Sequence, residues 1–343
     1  KAYELPLDVY WFDAGWYGYE YSMASNANSV SKELDKRQRG GLDLPQVTDY
    51  AKKNGIGVFL YVNQRALAKQ LDELLPLYRD WGICGLKFGF VQVGSHRWTT
   101  WLHEAVRKCA DYHLMVNIHD EYRPTGFSRT FPNLMTQEGI LGNEAMPDAT
   151  HNCTLPFTRF IVGPADYTIC YYRQKAINPN SRRTIQTTSA HQLALSVVYY
   201  SPLEWLYWYD SPKNSNDEPE LEFFDRVPTV WDDTRVLAGE IGKYIVVARR
   251  SGDAWFMGSI AGNDGRNLKV TLDFLEPEKN YVAHIFSDGG DEIETATKVK
   301  VSRYLVNRGT ILEMSLKNSG GEAAFFVPAN PGDMENLKNY KDE

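Results

Sequence analysis

Short apolar runs alternate with amphipathic segments over the first two thirds of the chain, and few folds satisfy that alternation. LDVYWFDAG (7–15), IGVFLYVN (56–63), CGLKFGF (84–90), LMVNIHD (114–120) and NLMTQEG (133–139) read as buried strands, and PLEWLYWY (202–209) as a further one. Between them PQVTDYAKKNG (45–55), LAKQLDELLPLYRDWG (67–82), WTTWLHEAVRKCADYH (98–113) and SAHQLALSVVYYS (189–201) read as helices, the first stopped by Gly55. Strands alternating with helices predict a parallel sheet with right-handed crossovers, and seven or so units favour a closed (β/α)8-type barrel. No GxGxxG follows a strand, so a dinucleotide-binding sheet is disfavoured. The chain begins almost directly on a strand, so the barrel is expected to lack its first strand–helix unit.

From residue 236 the rhythm changes. Short strands at 242–250, 253–261, 267–275, 280–288, 299–307 and 322–329 are separated by Gly, Asn and Asp turns such as GNDG (262–265), with no helix between them. This predicts a catalytic barrel over 1–235 and a C-terminal β-sandwich over 236–343, joined by a linker near 233–241. The polar tail MENLKNYKDE (334–343) is expected to face solvent or fray.

The net charge of −7, without a Lys/Arg cluster, argues against nucleic-acid or anionic-membrane partners. No apolar run is long enough to span a bilayer, and no secretory leader is visible at KAYELPLDVYW. Cys84, Cys109, Cys153 and Cys170 lack metal-site spacing and are expected to be free, mostly buried thiols.

In a β/α barrel the pocket forms at the C-terminal ends of the strands. That rule selects Asp13, Asn63–Gln64–Arg65, Lys87, His119–Asp120–Glu121 and Glu138, with Glu144 in the next loop. Any one of these acids could simply cap a helix or anchor a turn. Three carboxylates converging in one mouth repel each other, and are tolerated when a cation neutralises them or one stays protonated. With no Cys or His cluster, the donor set suits a hard, oxygen-preferring ion such as Ca²⁺. It also suits glycoside hydrolysis, which needs one protonated carboxyl and one carboxylate. Trp16, lying past the first strand end, is a candidate sugar-stacking platform. Trp98 and Trp101 are assigned to helix packing, and the long loop 22–41 to a possible cover over substrate.

The segments NIHDEYRPTGFSRTFPNLMTQEGILGNE (117–144) and TLPFTRFIVGPADYT (154–168) resemble glycoside hydrolase family 97, a family of α-glucosidases, α-galactosidases and relatives. The resemblance continues through YWFDAGWYG (10–18), GLKFGF (85–90) and WDDTRVLAGEIGKYIVVARR (231–250). It implies an N-terminal domain of the same protein that this chain lacks, a Ca²⁺ cofactor, an oligosaccharide or glycoside substrate, and a periplasmic or secreted location. Carried across residue by residue, it makes Glu144 the general acid and a Ca²⁺ ligand, Glu138 a Ca²⁺ ligand, and Asp120 a ligand that also acts as base. His119, Lys87 and Asp13 become sugar contacts.

The family's retaining members carry their nucleophilic Asp at the end of the strand that bears Lys87, where this chain has Gly89. Its inverting members carry a second base Glu where this chain has Asn63 and Gln64. With no carboxylate at position 89, the sequence predicts a Ca²⁺-dependent hydrolase of terminal α-linked sugars that inverts, Asp120 serving as base. The alternative is a carbohydrate-binding relative without turnover. A barrel acting on phosphorylated metabolites ranks last, because 165–183 offers Tyr, Arg and Lys but no Gly-rich phosphate loop.

Overall fold

A computed structural model describes residues 9–31, 42–170, 184–207 and 218–341. They fall into two compact units, one built on Pro6–Ile140 with Val162–Asp166, the other on Leu141–Ile161 with Tyr167–Glu343.

The first unit is a five-stranded parallel sheet in sequential order, β1 (Val9–Phe12), β2 (Gly57–Asn63), β3 (Gly85–Gly89), β4 (Met115–Ile118) and β5 (Leu134–Gln137). Helices α1 (Leu44–Lys53), α2 (Gln64–Asp80) and α3 (His96–Asp111) connect the first four strands. Each helix starts where a side chain accepts a backbone N–H: Asp43 caps α1, Asn63 caps α2 and Ser95 caps α3. The α2 cap is also the last residue of β2, so strand passes to helix without a loop. The apolar stripes of α2 and α3 bury Leu67, Leu71, Leu74, Leu102 and Val106 against Val58, Leu60, Leu86 and Val116. This is the parallel sheet the alternation predicts.

Strand register sorts the inward side chains into layers, because in-register neighbours share a face. Tyr61, Lys87, Asn117 and Thr136 are register partners across β2, β3, β4 and β5 and form one polar layer. Two residues on, Asn63 and Gly89 pair, and His119 and Glu138 follow at the strand ends.

The second unit carries the short parallel pair β6 (Ile169–Cys170) and β7 (Leu206–Tyr207). Its main body is antiparallel. A six-stranded sheet in the order β13 (Val299–Asn307), β12 (Asn280–Asp288), β15 (Gly321–Pro328), β10 (Ala254–Ala261), β9 (Tyr244–Ser251), β8 (Asp233–Glu240) faces the pair β11 (Arg266–Thr271) and β14 (Ile311–Leu316). Trp255, Met257, Ile285, Ala324 and Phe326 fill the core against Val270, Leu312 and Met314. The helix α4 (Ala149–Thr154) precedes α5 (Ser189–Val198), all ten residues of which are buried. Such all-round burial explains why α5 shows no polar face. His191 of α5 is a neutral imidazole in a relay: Tyr167 donates to Asn152, Asn152 donates to Nε2 of His191, and Nδ1–H donates to the Gly320 carbonyl. Burial depresses its pKa to about 4.

One expectation is corrected. The linker placed at 233–241 is edge strand β8, whose mostly exposed, weakly alternating side chains carry little strand signal. ILEMSL, which no expectation covered, is β14, alternating exposed and buried. The tail faces solvent, as expected, without fraying: a helical turn at Pro331–Asn336 has a full capping box, and Tyr340 returns to β14 through hydrogen bonds with Glu313. The four cysteines are free, three of them buried. Among the described residues no helix is long and apolar enough to cross a membrane. Residues 32–41 of the loop assigned over the substrate, and 171–183, lie outside the described residues. The described part of that loop packs on α2, where Tyr78 donates to the Ala27 carbonyl.

One core position runs against its surroundings. Ser259, Glu322 and Ser287 are register partners across β10, β15 and β12 on the apolar face, and Glu322 is 6% exposed with Oε1 unpartnered. Burial, reinforced by the nearby Asp288 carboxylate, raises its pKa to about 8. The folded chain therefore holds a proton that the unfolded chain releases near pH 4.5. This group's stabilisation is full below pH 4.5 and is lost as pH rises through 8. Glu322→Gln is predicted to gain stability relative to wild type over that window, at up to about 1.4 kcal/mol per pH unit. Urea unfolding of the two proteins at matched pH values checks it, and cancels the opposite titration of His191.

Candidate active site

The floor of the candidate site is the Lys87 layer. The Lys87 ammonium and the Asp166 carboxylate are 2.9 Å apart, with side chains 5% and 2% exposed. Asn117 donates to the same Asp166 oxygen at 2.8 Å. Burial alone would pull the Lys87 pKa down. The field of Asp166, aided by Glu138 and Asp13, more than offsets it, so the ammonium stays charged. Asp166 reaches this place because its N–H donates to the Gln137 carbonyl at 3.0 Å, while the Gln137 side chain donates to the Pro164 carbonyl. Segment 162–166 is thus sewn to the end of β5.

Above that layer His119, Asp120 and Glu138 offer ligand atoms that all lie within 4.8 Å of one another. The Glu138 carboxylate accepts from His119 Nδ1 and, at 2.5 Å, from the Asp120 N–H. Burial lowers the His119 pKa, but Glu138 and Asp120 outweigh it, so the imidazolium is favoured. Burial raises that of Asp120, and Glu138 adds to the rise against the opposing pull of His119. Asp120 has φ +63°, a conformation Asp tolerates, and this turns its carboxylate toward the β3–α3 loop, where it accepts from Val91 N–H at 3.1 Å. The turn is closed by Gly139 N–H donating to the Asp120 carbonyl at 2.7 Å. Gly139 is itself at φ +55°, and a Cβ there would stand 2.4 Å from the Tyr122 carbonyl oxygen, so only glycine fits after Glu138.

The structure thus brings Lys87, His119, Asp120 and Glu138 together, as their strand ends predict. The exposed Asp13 contributes to the Lys87 field and also accepts from Ala14 N–H at 2.7 Å, the local turn anchor foreseen for it. Glu144 belongs to the second unit, exposed on a helical turn at Asn143–Ala145. Its neighbour Asn143 is buried and fixed by hydrogen bonds to the Thr168 carbonyl and to Gln192 of α5.

Trp16 is corrected. Its indole is 7% exposed, donates to the Tyr61 carbonyl at 2.7 Å and packs edge-on against Tyr17, Tyr78 and Trp81. It is core and cannot stack on a sugar; the polypeptide turns inward after β1, which a sequence position past the strand does not reveal. Asp166, Asn117 and Asn143 were not selected from sequence. An acid inside the apolar VGPADYT run was the available signal for Asp166.

Gly89 has a physical reason. A Cβ there would stand 2.0 Å from the Tyr61 ring, so the phenol of β2 fills the space that a side chain at the end of β3 would need.

A family model described as Glycoside hydrolase 97 matches residues 2–140, and one described as Glycosyl-hydrolase 97 C-terminal, oligomerisation, matches 230–327. A retaining alpha-galactosidase of Bacteroides thetaiotaomicron is 32% identical over 89% of this chain and 48% of its own length. A probable retaining alpha-galactosidase of Streptomyces bingchenggensis is 31% identical over 84% of this chain and 44% of its own. The chain therefore spans about half the length of these relatives. Among solved structures, a family 97 enzyme of Pseudoalteromonas sp. strain K8 in complex with panose superimposes with a TM-score of 0.78 at 27% identity, over 96% of this chain and 55% of that one. The retaining relatives overturn the expectation of inversion. Two family models and relatives along most of its length place this chain in glycoside hydrolase family 97.

Proposed function

We propose that this chain carries the hydrolytic barrel of an α-glycosidase acting on terminal α-galactosides with retention of configuration. The observation that carries the proposal is the convergence of His119, Asp120 and Glu138 above the Lys87–Asp166 pair. Three carboxyl groups, Asp120, Glu138 and Asp166, stand against the Lys87 ammonium and the His119 imidazole, so acidic groups outnumber basic ones. A surplus negative charge favours the oxocarbenium-like transition state of glycoside cleavage. The names of the two curated relatives support galactose and retention.

The same surplus fits a divalent cation. Asp120 and Glu138 would supply hard oxygen donors to Ca²⁺, with His119 orienting Glu138 through Nδ1 and Glu144 as a further donor by family likeness. Ca²⁺ when bound would hold the carboxylates ionised. Glu144 is the proposed general acid. Retention needs a carboxylate about 5–5.5 Å from the acid. Position 89 cannot supply it past Tyr61, so the nucleophile is sought at Asp13 or Asp120. The Tyr61 phenol in that space also favours a second reading, a sugar-binding relative without turnover.

Hydrolysis of nitrophenyl and methyl α-galactosides, with and without a chelator, tests both readings. NMR is predicted to show the α-anomer formed first, and a 2-deoxy-2-fluoro-α-galactosyl fluoride to label Asp13 or Asp120. Glu144→Gln is predicted to slow the methyl galactoside about 10²–10⁴-fold, and the nitrophenyl galactoside, whose leaving group needs less protonation, by less. First-formed β-anomer would contradict retention. Sugar binding without turnover on any panel member would select the second reading.

A further inference from the structure

The turn that carries Glu144 has little to hold it by itself. Asn143–Ala145 is one turn long and no side chain caps it, and so short a helical segment has no stability of its own. Inside it, Ala145 N–H donates to the Gly142 carbonyl and Met146 N–H to that of Asn143. The buried Met146 follows at φ +51°, a left-handed conformation that a bulky residue keeps only where its surroundings impose it. The turn is therefore fixed from outside.

The segment leading into α5 supplies much of that hold. Asn143 Nδ2 donates to Gln192 Oε1 at 2.8 Å and to the Thr168 carbonyl at 2.7 Å. Gln192 is 1% exposed and its amide has partners at both ends. Oε1 also accepts from Cys170 N–H at 3.2 Å, and Nε2 donates to Thr187 Oγ1 at 2.8 Å. On the far side of Glu144, Gln186 Nε2 donates to the Met146 carbonyl at 2.6 Å. A buried network satisfied in this way is rigid. It grips the residues flanking Glu144 and leaves Glu144 itself exposed.

The helix α5 is in turn seated on the sandwich. A Cβ at Gly321 of β15 would stand 2.5 Å from His191 Cα, and one at Gly258 of β10 would stand 2.4 Å from the Ala194 carbonyl oxygen. The N–H of its cap, Thr188, donates to the Ser319 carbonyl at 3.1 Å. The whole path from β10 and β15 through α5 to the turn of Glu144 lies within the second unit.

We infer that Gln192 and Gln186 are positioning residues for Glu144, setting the place of the proposed acid from α5 and the segment before it. This rests on the hydrolase reading with Glu144 as acid, and adds the residues that aim it. A misplaced acid costs most where the leaving group most needs its proton.

Specificity constants of the full chain on methyl and nitrophenyl α-galactosides test this for wild type, Gln192→Met, Gln192→Glu and Gln186→Leu. The methyl-to-nitrophenyl ratio is expected to fall about tenfold or more in Gln192→Met and Gln186→Leu, through kcat with little change in KM. Gln192→Glu, kept protonated by burial, retains an acceptor for Asn143 and a donor for Thr187, and is expected to hold most of the wild-type ratio. An unchanged ratio in a folded Gln192→Met or Gln186→Leu, with both substrates slowed alike, would show a structural role and overturn the proposal. So would a loss in Gln192→Glu as large as in Gln192→Met. Gln186 is exposed, so Gln186→Leu decides alone if Gln192→Met does not fold. If wild type cleaves neither substrate, the hydrolase reading fails on its own. Hydrogen exchange at the Ala145 and Met146 amides then judges the hold: faster exchange in Gln186→Leu supports it, and equal exchange sinks it.

Discussion

A buried ammonium and a buried carboxylate sit at the centre of this architecture. Taking either charge out of water alone is costly, and removing one partner of such a pair strands the other. Lys87 therefore commits β3 to segment 162–166, and Asn117 adds β4 to the same carboxylate. Because the Asp166 N–H also donates to the Gln137 carbonyl at the end of β5, three strands are brought together at one residue. The cluster of His119, Asp120 and Glu138 stands on those ends two residues further on. Its acids face a positive floor: the fields of Glu138 and Asp13 join that of Asp166 in keeping the Lys87 ammonium charged.

Position 89 shows how layers constrain chemistry. Within a parallel sheet the inward residues of one strand share space with those of the next. Tyr61 and Lys87 occupy one layer, and the Tyr61 ring rises far enough to cover Gly89 in the next. A larger side chain at 89 and a tyrosine at 61 exclude each other. The glycine at the end of β3 is thus a packing consequence of Tyr61, and the acids of β4 and β5 lie outside that contact.

Much of this was legible in the sequence. The strand and helix alternation gave the parallel sheet, and the rule that barrel sites form at strand C-termini picked out Lys87, His119, Asp120 and Glu138 before any coordinates. What failed did so for definable reasons. Asp166 lies 79 residues from Lys87, and no local pattern links them. Trp16 follows a strand but its indole turns back into the core, since direction after a strand end depends on the loop's own dihedrals. Edge strand β8 read as a linker because it buries little, and β14 was passed over although its period of two is plain. The expectation of inversion rests on one residue, Gly89, and the retaining relatives overturn it.

A double-mutant cycle measures the Lys87–Asp166 pair directly. Unfolding free energies and α-galactoside turnover would be compared for wild type, Lys87→Met, Asp166→Asn and the double variant. Each single change is predicted to cost about 3 kcal/mol or more, the double variant clearly less than their sum, and turnover to collapse in all three. Additive losses, or single variants that keep both stability and turnover, would show that the strand ends are assembled without this pair and would contradict the account.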